Sequence, residues 1–317
     1  MKFSWIRNCR HELVLLVLLI CICFVASLLV ENFMTMKSQL YLSRQLWEMA
    51  LLAIPMTLII LTGGIDLSVG SIMGLCATCF GLVWKSTQNI FLASLASLVV
   101  GVVCGGLNGF FITRWKLHPL IVTLATYAAF RGMGEGISQG EAYSGFPSEF
   151  ASVGRGQWFG LAPGGWLFIL MALVVWIWLL RTTHGRNIYA IGLNRQAATG
   201  SGIPVRFTEF CLYVFSGLMG GVVTVIYVSR FNTAKADAGT LMELDVITAV
   251  VVGGTSIFGG RGSVPGTVLG LLLIHQTRMF VGRYWQVEEL KSIITGLLLI
   301  LSVLMSQIFM GRKSGRQ

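Results

Sequence analysis

One carboxylate stands near the middle of an otherwise apolar double segment. Leu61 to Gly70 reads L-T-G-G-I-D-L-S-V-G, and the flanking runs, 46–61 and 71–84, add only Glu48, near an outer end. An ionisable group in such a setting is costly to place and marks a functional or architectural position. Three chemistries suit Asp66: contact with a polar ligand, relay of a coupling ion, or acceptance of backbone N–H groups where the next helix begins. Because Leu67-Ser68-Val69-Gly70 follows, the spacing puts Asp66 at a helix cap, the preferred reading. Gly63, Gly64 and Gly70 let the backbone bend or approach closely there.

Other polar groups in apolar runs are Thr62, Ser68, Asn108, Thr123 and Thr126. Together with Asp66 they are the candidates to line a passage for a hydroxylated ligand, which needs weak hydroxyl and amide contacts rather than a charged cage. A Ser or Thr in a helix more commonly bonds back to its own turn. Asn108 is the costlier group to bury and the better candidate. Catalytic chemistry finds little support. His11, His118, His184 and His275 are far apart with no ligand spacing, and Cys76-x-x-Cys79 lies in an apolar run, where cysteines behave as small hydrophobes. An ion-coupled transporter, the alternative function, calls for further carboxylates in the bundle. Only Asp66 lies well inside, with His275 a second candidate.

The elements that must position these groups are membrane helices. The chain is 55% hydrophobic and 11% charged, against about 25% charged in soluble domains. Its net charge of +10 comes from basic residues scattered singly, with no basic patch of interleaved aromatics, so nucleic acid is not the expected partner and a lipid bilayer is. The apolar run at 13–30 carries no charge and is too long for a secretory signal core. The fold expected is all-α: a single polytopic membrane domain over 1–317 with about ten transmembrane helices and two Gly-rich helix breaks. The segments are 13–30, 46–62, 68–84, 90–113, 119–137, 164–180, 208–229, 243–258, 264–281 and 290–310, those flanking Gly63 and Gly260 short enough to be half-crossing.

With both termini in the cytoplasm, thirteen of the 23 basic residues fall inside: Lys2, Arg7, Arg10, Arg114, Lys116, Arg181, Arg186, Arg195, Arg206, Arg261, Arg312, Lys313 and Arg316. Glu12 and Glu209 are the only acidic residues on that side. A long outer loop, 132–165, carries Glu135, Glu141 and Glu149 and suits either a docking surface or a plain connection. The inner loop, 181–207, predicts one or two short amphipathic helices over 187–199 that present Ile188, Tyr189 and Ile191 to another protein, with Pro204 stopping helix before the next crossing. The alternative is a helix lying at the headgroups, Arg186 and Arg195 near anionic lipid.

Val250–Leu273 echoes the opening stretch: an apolar run, Gly253-Gly254, a polar Gly-rich bend, then a second apolar run. The pair Gly253–Gly254 matches Gly63–Gly64, and such corresponding interruptions point to an internal repeat and a substrate route. The spacings Gly262-x-x-x-Gly266 and Gly266-x-x-x-Gly270 allow close helix contact.

Three motifs, T-G-G-I-D-L-S-V-G-S at 62–71, T-H-G-R-N-I-Y-A-I-G-L-N at 183–194 and V-V-G-G-T-S-I-F-G-G-R-G-S-V-P-G at 251–266, resemble the membrane subunits of bacterial ABC sugar importers of the ribose, galactose, rhamnose and autoinducer-2 type. The resemblance implies a permease in the bacterial inner membrane that works with a second permease chain, a periplasmic sugar-binding protein and a cytoplasmic ATPase subunit. It implies a coupling region at Gly185, Arg186, Asn187, Tyr189, Gly192 and Asn194, although Leu193 and Arg195 stand where members often carry Gly and Pro. No G-x-x-x-x-G-K-[ST] occurs, so no cofactor is expected on this chain and ATP is hydrolysed by the partner. The stretch A-Y-S-G-F-P-S-E-F at 142–150 looks most like the rhamnose and autoinducer-2 members.

Overall fold

The structure, a computed structural model, describes residues 2–314. Arg316 lies outside the described residues, as do the side chains of Lys2, Arg7, Cys9, Arg10, Arg312 and Lys313. In chain order the elements are α1 (Lys2–Leu29), α2 (Met36–Leu61), α3 (Val69–Thr87), α4 (Ile90–Arg114), α5 (Pro119–Ser138), β1 (Tyr143–Ser144), a 3-10 turn (Ser148–Phe150), α6 (Ala151–Arg155), α7 (Pro163–Arg181), α8 (Thr183–Leu193), α9 (Arg195–Gly200), α10 (Val205–Phe231), β2 (Thr233–Ala234), α11 (Met242–Val252), α12 (Val264–Tyr284) and α13 (Glu288–Ser314). Local signals set these ends. Asn89 caps α4 by accepting from the N–H groups of Phe91 and Leu92, and Pro119 and Pro163 open α5 and α7, where a missing N–H costs nothing.

α2 is the centre of the bundle. Residues 48–61 are buried without exception, enclosed by α7, α10, α11 and α12, whereas α1 turns Phe24 and Leu28 outward. The tightest pair is α4 with α10. A side chain at Gly101 or Gly105 would strike the α10 backbone at Gly217 or Tyr213, and one at Gly221 would strike Ser97. Small residues four apart on both helices let the backbones touch, which carries the polar groups of α4 and α10 into the interior.

Seven helices among the described residues are long and apolar enough to cross a membrane: α1 (from His11), α2, α3, α4, α7, α10 and α12. The ten expected from the sequence are not all found among the described residues. α11 has eleven residues, about 16 Å at 1.5 Å per residue, half of a hydrocarbon core. α5 holds Arg131 and Glu135, which lower its hydropathy. The two Gly-rich stretches fall between successive helices, α2 to α3 and α11 to α12. The long loop is shorter than expected, since α5 runs to Ser138 and α7 starts at Pro163. It is partly ordered by β1, which pairs antiparallel with β2. That segment gathers at one end of the bundle. At the other end meet α8, the first described side chains of α1 and both Gly-rich turns.

Candidate functional site

Asp66 is fully buried between α2 and α3. Its Oδ1 accepts from the Ser68 N–H at 3.0 Å and from Ser68 Oγ at 2.6 Å. Its Oδ2 accepts from Ser216 Oγ on α10 at 2.8 Å. Asn108 on α4 donates through Nδ2 to Ser68 Oγ at 2.7 Å. Thr123 on α5 donates to the Ile65 carbonyl at 3.2 Å as well as to Pro119 O. Three elements, α4, α5 and α10, are thus tied to a seven-residue turn by one carboxylate and its neighbours. The formal N-cap of α3 is Ser68, which makes no side-chain cap bond. Asp66 supplies the acceptor from two residues earlier, so helix start and network share the same oxygen.

Of the six polar candidates, the structure brings Asp66, Ser68, Asn108 and Thr123 together and buries all four. Thr62 and Thr126 stay outside this cluster and bond back to their own helices, Thr62 to Ile59 O at 2.7 Å and Thr126 to Val122 O at 3.0 Å. Two buried polar atoms beside the cluster have no hydrogen-bond partner among the described residues: Asn108 Oδ1 and the Tyr213 hydroxyl. The Tyr213 hydroxyl lies where a side chain at Gly64 would fall.

The two Gly-rich turns share one backbone design. After α2, Gly63 (φ 85) donates to Ile60 O and Gly64 to Ile59 O. After α11, Gly254 (φ 91) donates to Val251 O and Thr255 to Val250 O. Both are Schellman closures that need a residue in the left-handed region just past the helix. The equivalent positions are Gly63 with Gly254 and Gly64 with Thr255, one residue away from the pairing read from the sequence. The doubled glycines misled because only the second Gly of 253–254 carries the positive φ.

The turns also meet. The Gly260 N–H donates to the Leu61 carbonyl at 2.8 Å. α8 lies against this contact: a side chain at Gly192 would collide with Leu61 O and with the Gly260 backbone. Tyr189 donates its hydroxyl to Gly262 O at 3.0 Å, and burial holds its phenol above the ordinary value, so the donor proton stays in place. From the opposite side, α1 brings His11 to Val252 O at 3.2 Å, and Glu12 accepts from Ser263 Oγ at 2.9 Å.

The inner loop differs from its expected amphipathicity. Ile188 and Ile191 are buried in the protein's own core, and Tyr189 is bonded inward, so none of the three is presented to a partner. Gly185, too, packs inward against Leu179. The outward surface is Arg186, Leu193 and Asn194, with Leu193 66% exposed and Asn187 half-buried. Asn194 caps α9 through the Ala197 N–H at 2.9 Å. Arg195 pairs with Glu209 of α10 at 2.6 Å.

Sequence reasoning missed several fixed points. Glu48 pairs bidentately with Arg230 at 2.8 and 2.9 Å. Arg131 donates to the carbonyls of Ala236, Ala238 and Gly70, holding the segment before α11 across the start of α3. A charge of each sign in apolar runs far apart in the chain was the available signal. Ser216 offered none, since nothing distinguishes it from other helical serines. Among the described residues no three His, Cys, Asp or Glu side chains converge to hold a metal.

Residues 39–303 match the family described as the branched-chain amino acid transport system permease component. The chain is 35% identical over 269 residues to the autoinducer 2 import system permease protein LsrD of Escherichia coli strain K12, a match spanning 83% of this chain and 82% of that protein. The LsrD protein of Shigella flexneri matches to the same extent. These agree with the motif resemblance at 62–71, 183–194 and 251–266. The matched proteins are permease components, that is, membrane transport components. This multi-pass membrane protein belongs to the permease-component family of branched-chain amino acid transport systems.

Proposed function

We propose that the chain is the permease subunit of an ATP-binding-cassette importer in a bacterial inner membrane. Its cargo is an autoinducer-2-type molecule or a closely similar small sugar, with rhamnose and ribose as the neighbouring possibilities. The observation that carries this reading is the chain-long similarity to the autoinducer 2 import permease. Both termini and α8–α9 face the cytoplasm, and the 139–162 segment, with Glu141 and Glu149 exposed, faces the periplasmic binding protein.

In this reading the ATPase subunit grips the outward surface of α8 at Arg186, Leu193 and Asn194. Gly185, Tyr189 and Gly192 form the inner side of the same coupling region. Force on α8 passes through Gly192 and Tyr189 to the contact between the two turns, and so to α2, α3, α11 and α12 together. The Asp66 junction keeps α3, α4 and α10 aligned while the ends move. Cargo passes along a route between this chain and a second permease chain. Thr62 and Thr126, half-buried, contribute hydroxyl lone pairs to it, and Asp66, Ser68, Asn108 and Thr123 shape its wall from behind. ATP acts on the partner, with no cofactor on this chain.

The test is uptake into vesicles carrying the reconstituted complex, with autoinducer-2, rhamnose and ribose compared. ATP-dependent uptake of autoinducer-2 in preference to both sugars is expected. Uptake that persists without any ATPase subunit and follows an ion gradient would replace the proposal by an ion-coupled carrier.

A further inference from the structure

A cavity of about 710 Å³ opens between the end of α1, the start of α2 and the end of α12, with Gln157 of the 139–162 segment on its wall. Three cations line it: Lys37, Arg44 and Arg283. Arg283 donates to Ser38 Oγ at 2.8 Å, and the Arg44 guanidinium lies 5.9 Å from the centre of the Tyr41 ring. Arg44 Nε is buried with no hydrogen-bond partner among the described residues. None of the three cations forms an ion pair with a carboxylate among the described residues. Glu31 and Glu289, nearby in sequence, are exposed and pair with none of them. The first turn of α2 carries no acidic residue either, so its unpaired N–H groups add positive potential on the same side.

Three uncompensated cations and an orphaned N–H converging on one hollow are stabilised by an anion. The surroundings identify its class. The end of α1, one of the helices bordering the cavity, exposes Phe24, Val25 and Leu28, and the start of α2 exposes Met36, apolar surface for hydrocarbon. Tyr41 on the cavity wall, and Tyr284 and Trp285 next to Arg283 in the chain, are exposed, amphipathic rings of the kind that settle at headgroup level. A ligand with a phosphate head and apolar tails satisfies both surfaces, its phosphodiester oxygens accepting charge-assisted hydrogen bonds from the basic side chains. We propose that this cavity is a binding site for the phosphodiester headgroup of an anionic phospholipid. The site is independent of the cargo and rests only on the chain being a membrane protein.

The test uses the full-length permease in nanodiscs of phosphatidylcholine containing a minor fraction of phosphatidylglycerol, with lipid retention read by native mass spectrometry. Wild type should retain phosphatidylglycerol over phosphatidylcholine. Each basic residue lost should lower that preference about five-fold, so Arg44→Gln should show a partial loss and the K37Q/R44Q/R283Q variant almost none. Gln157→Glu keeps all three cations and sets a carboxylate in the wall. It should lower retention by a similar factor, and it provides the answer if the triple variant does not fold. Equal retention of the two lipids by wild type, or unchanged preference in the triple variant and in Gln157→Glu, would overturn the proposal. So would full displacement of the lipid by millimolar inorganic phosphate, which would assign the cavity to free phosphate instead.

Discussion

The turn after α2 and the turn after α11 close their helices with the same hydrogen bonds and a glycine in the same conformation, yet they are held in opposite ways. The first is pinned from within: Asp66, three residues past Gly63, takes donors from its own turn and from α10, and Asn108 extends the bonding to α4. The second has no buried carboxylate of its own and is clasped from the periphery, by His11 and Glu12 of α1 and by Tyr189 of α8. One turn is an internal anchor and the other a handle. The difference teaches where a push on the inner loop can go. It moves the handle directly, and reaches the anchor only through the Leu61–Gly260 contact and Gly192.

The largest test removes the anchor. Asp66→Leu leaves the Ser68 N–H and two hydroxyls without their acceptor, and each orphaned buried donor costs about 1–3 kcal/mol. The total, about 3–9 kcal/mol, is comparable with a whole folding stability of about 5–15 kcal/mol, so little folded protein should accumulate. Asp66→Asn keeps one acceptor oxygen and should retain most of the protein and most of its transport. Membrane levels and thermal inactivation of the two variants measure this. Normal amounts of Asp66→Leu that fail only in uptake would make Asp66 a cargo contact instead of an anchor.

Next comes the place where anchor and handle touch. Gly192→Val drives a branched side chain into the Leu61 carbonyl and the Gly260 backbone, neither of which can swing aside as a side chain would. Overpacking of this kind costs about 1–3 kcal/mol, and here it separates the two turns. Thermal inactivation should fall and ATP-driven uptake should be lost from the protein that remains. Uptake at the wild-type rate would show that the turns need not touch.

A smaller effect separates the turns themselves. Alanine in the left-handed region costs about 1–2 kcal/mol. At Gly63 the new methyl meets only the Phe258 carbonyl at an ordinary 3.6 Å, whereas at Gly254 it strikes the His11 ring. Gly254→Ala should therefore be the more destabilising of the two, and truncating His11 to Ala should bring it level with Gly63→Ala. Equal losses with His11 present would mean that α1 does not clasp the turn.

Much of this organisation was legible in the sequence, for identifiable reasons. Apolar run length gave the helices, and a carboxylate among apolar neighbours gave the anchor, because both signals are local. The register of the two turns was not legible: Gly253-Gly254 resembles Gly63-Gly64 in letters, but only backbone dihedrals show which glycine closes the helix. Ser216 was missed because its role arises entirely from the approach of α10 to the turn between α2 and α3. The direction of α8 was misread for a related reason. Ile188 and Ile191 form an apolar face, and periodicity states that such a face is covered without stating by what.

The finest test concerns the one side-chain bond from α8 to the handle. Tyr189→Phe removes the hydroxyl donated to Gly262 O and leaves the ring in place. A single hydrogen bond of this kind contributes about 0.5–1.5 kcal/mol, so folding and membrane levels should hardly change. If α8 drives the second turn through this bond, the cost appears in transmission: the ATPase rate of the reconstituted complex is kept while cargo moved per ATP falls. Gly192 still presses on Leu61 and Gly260 in this variant, so uptake should drop without vanishing. Combining Tyr189→Phe with Gly254→Ala sharpens the point, since two changes on the same handle should be non-additive in uptake. Combining it with Gly63→Ala, on the anchored turn, should give additive losses. Additivity in both pairs would mean that α8 acts on the two turns alike, and the distinction between anchor and handle would fall.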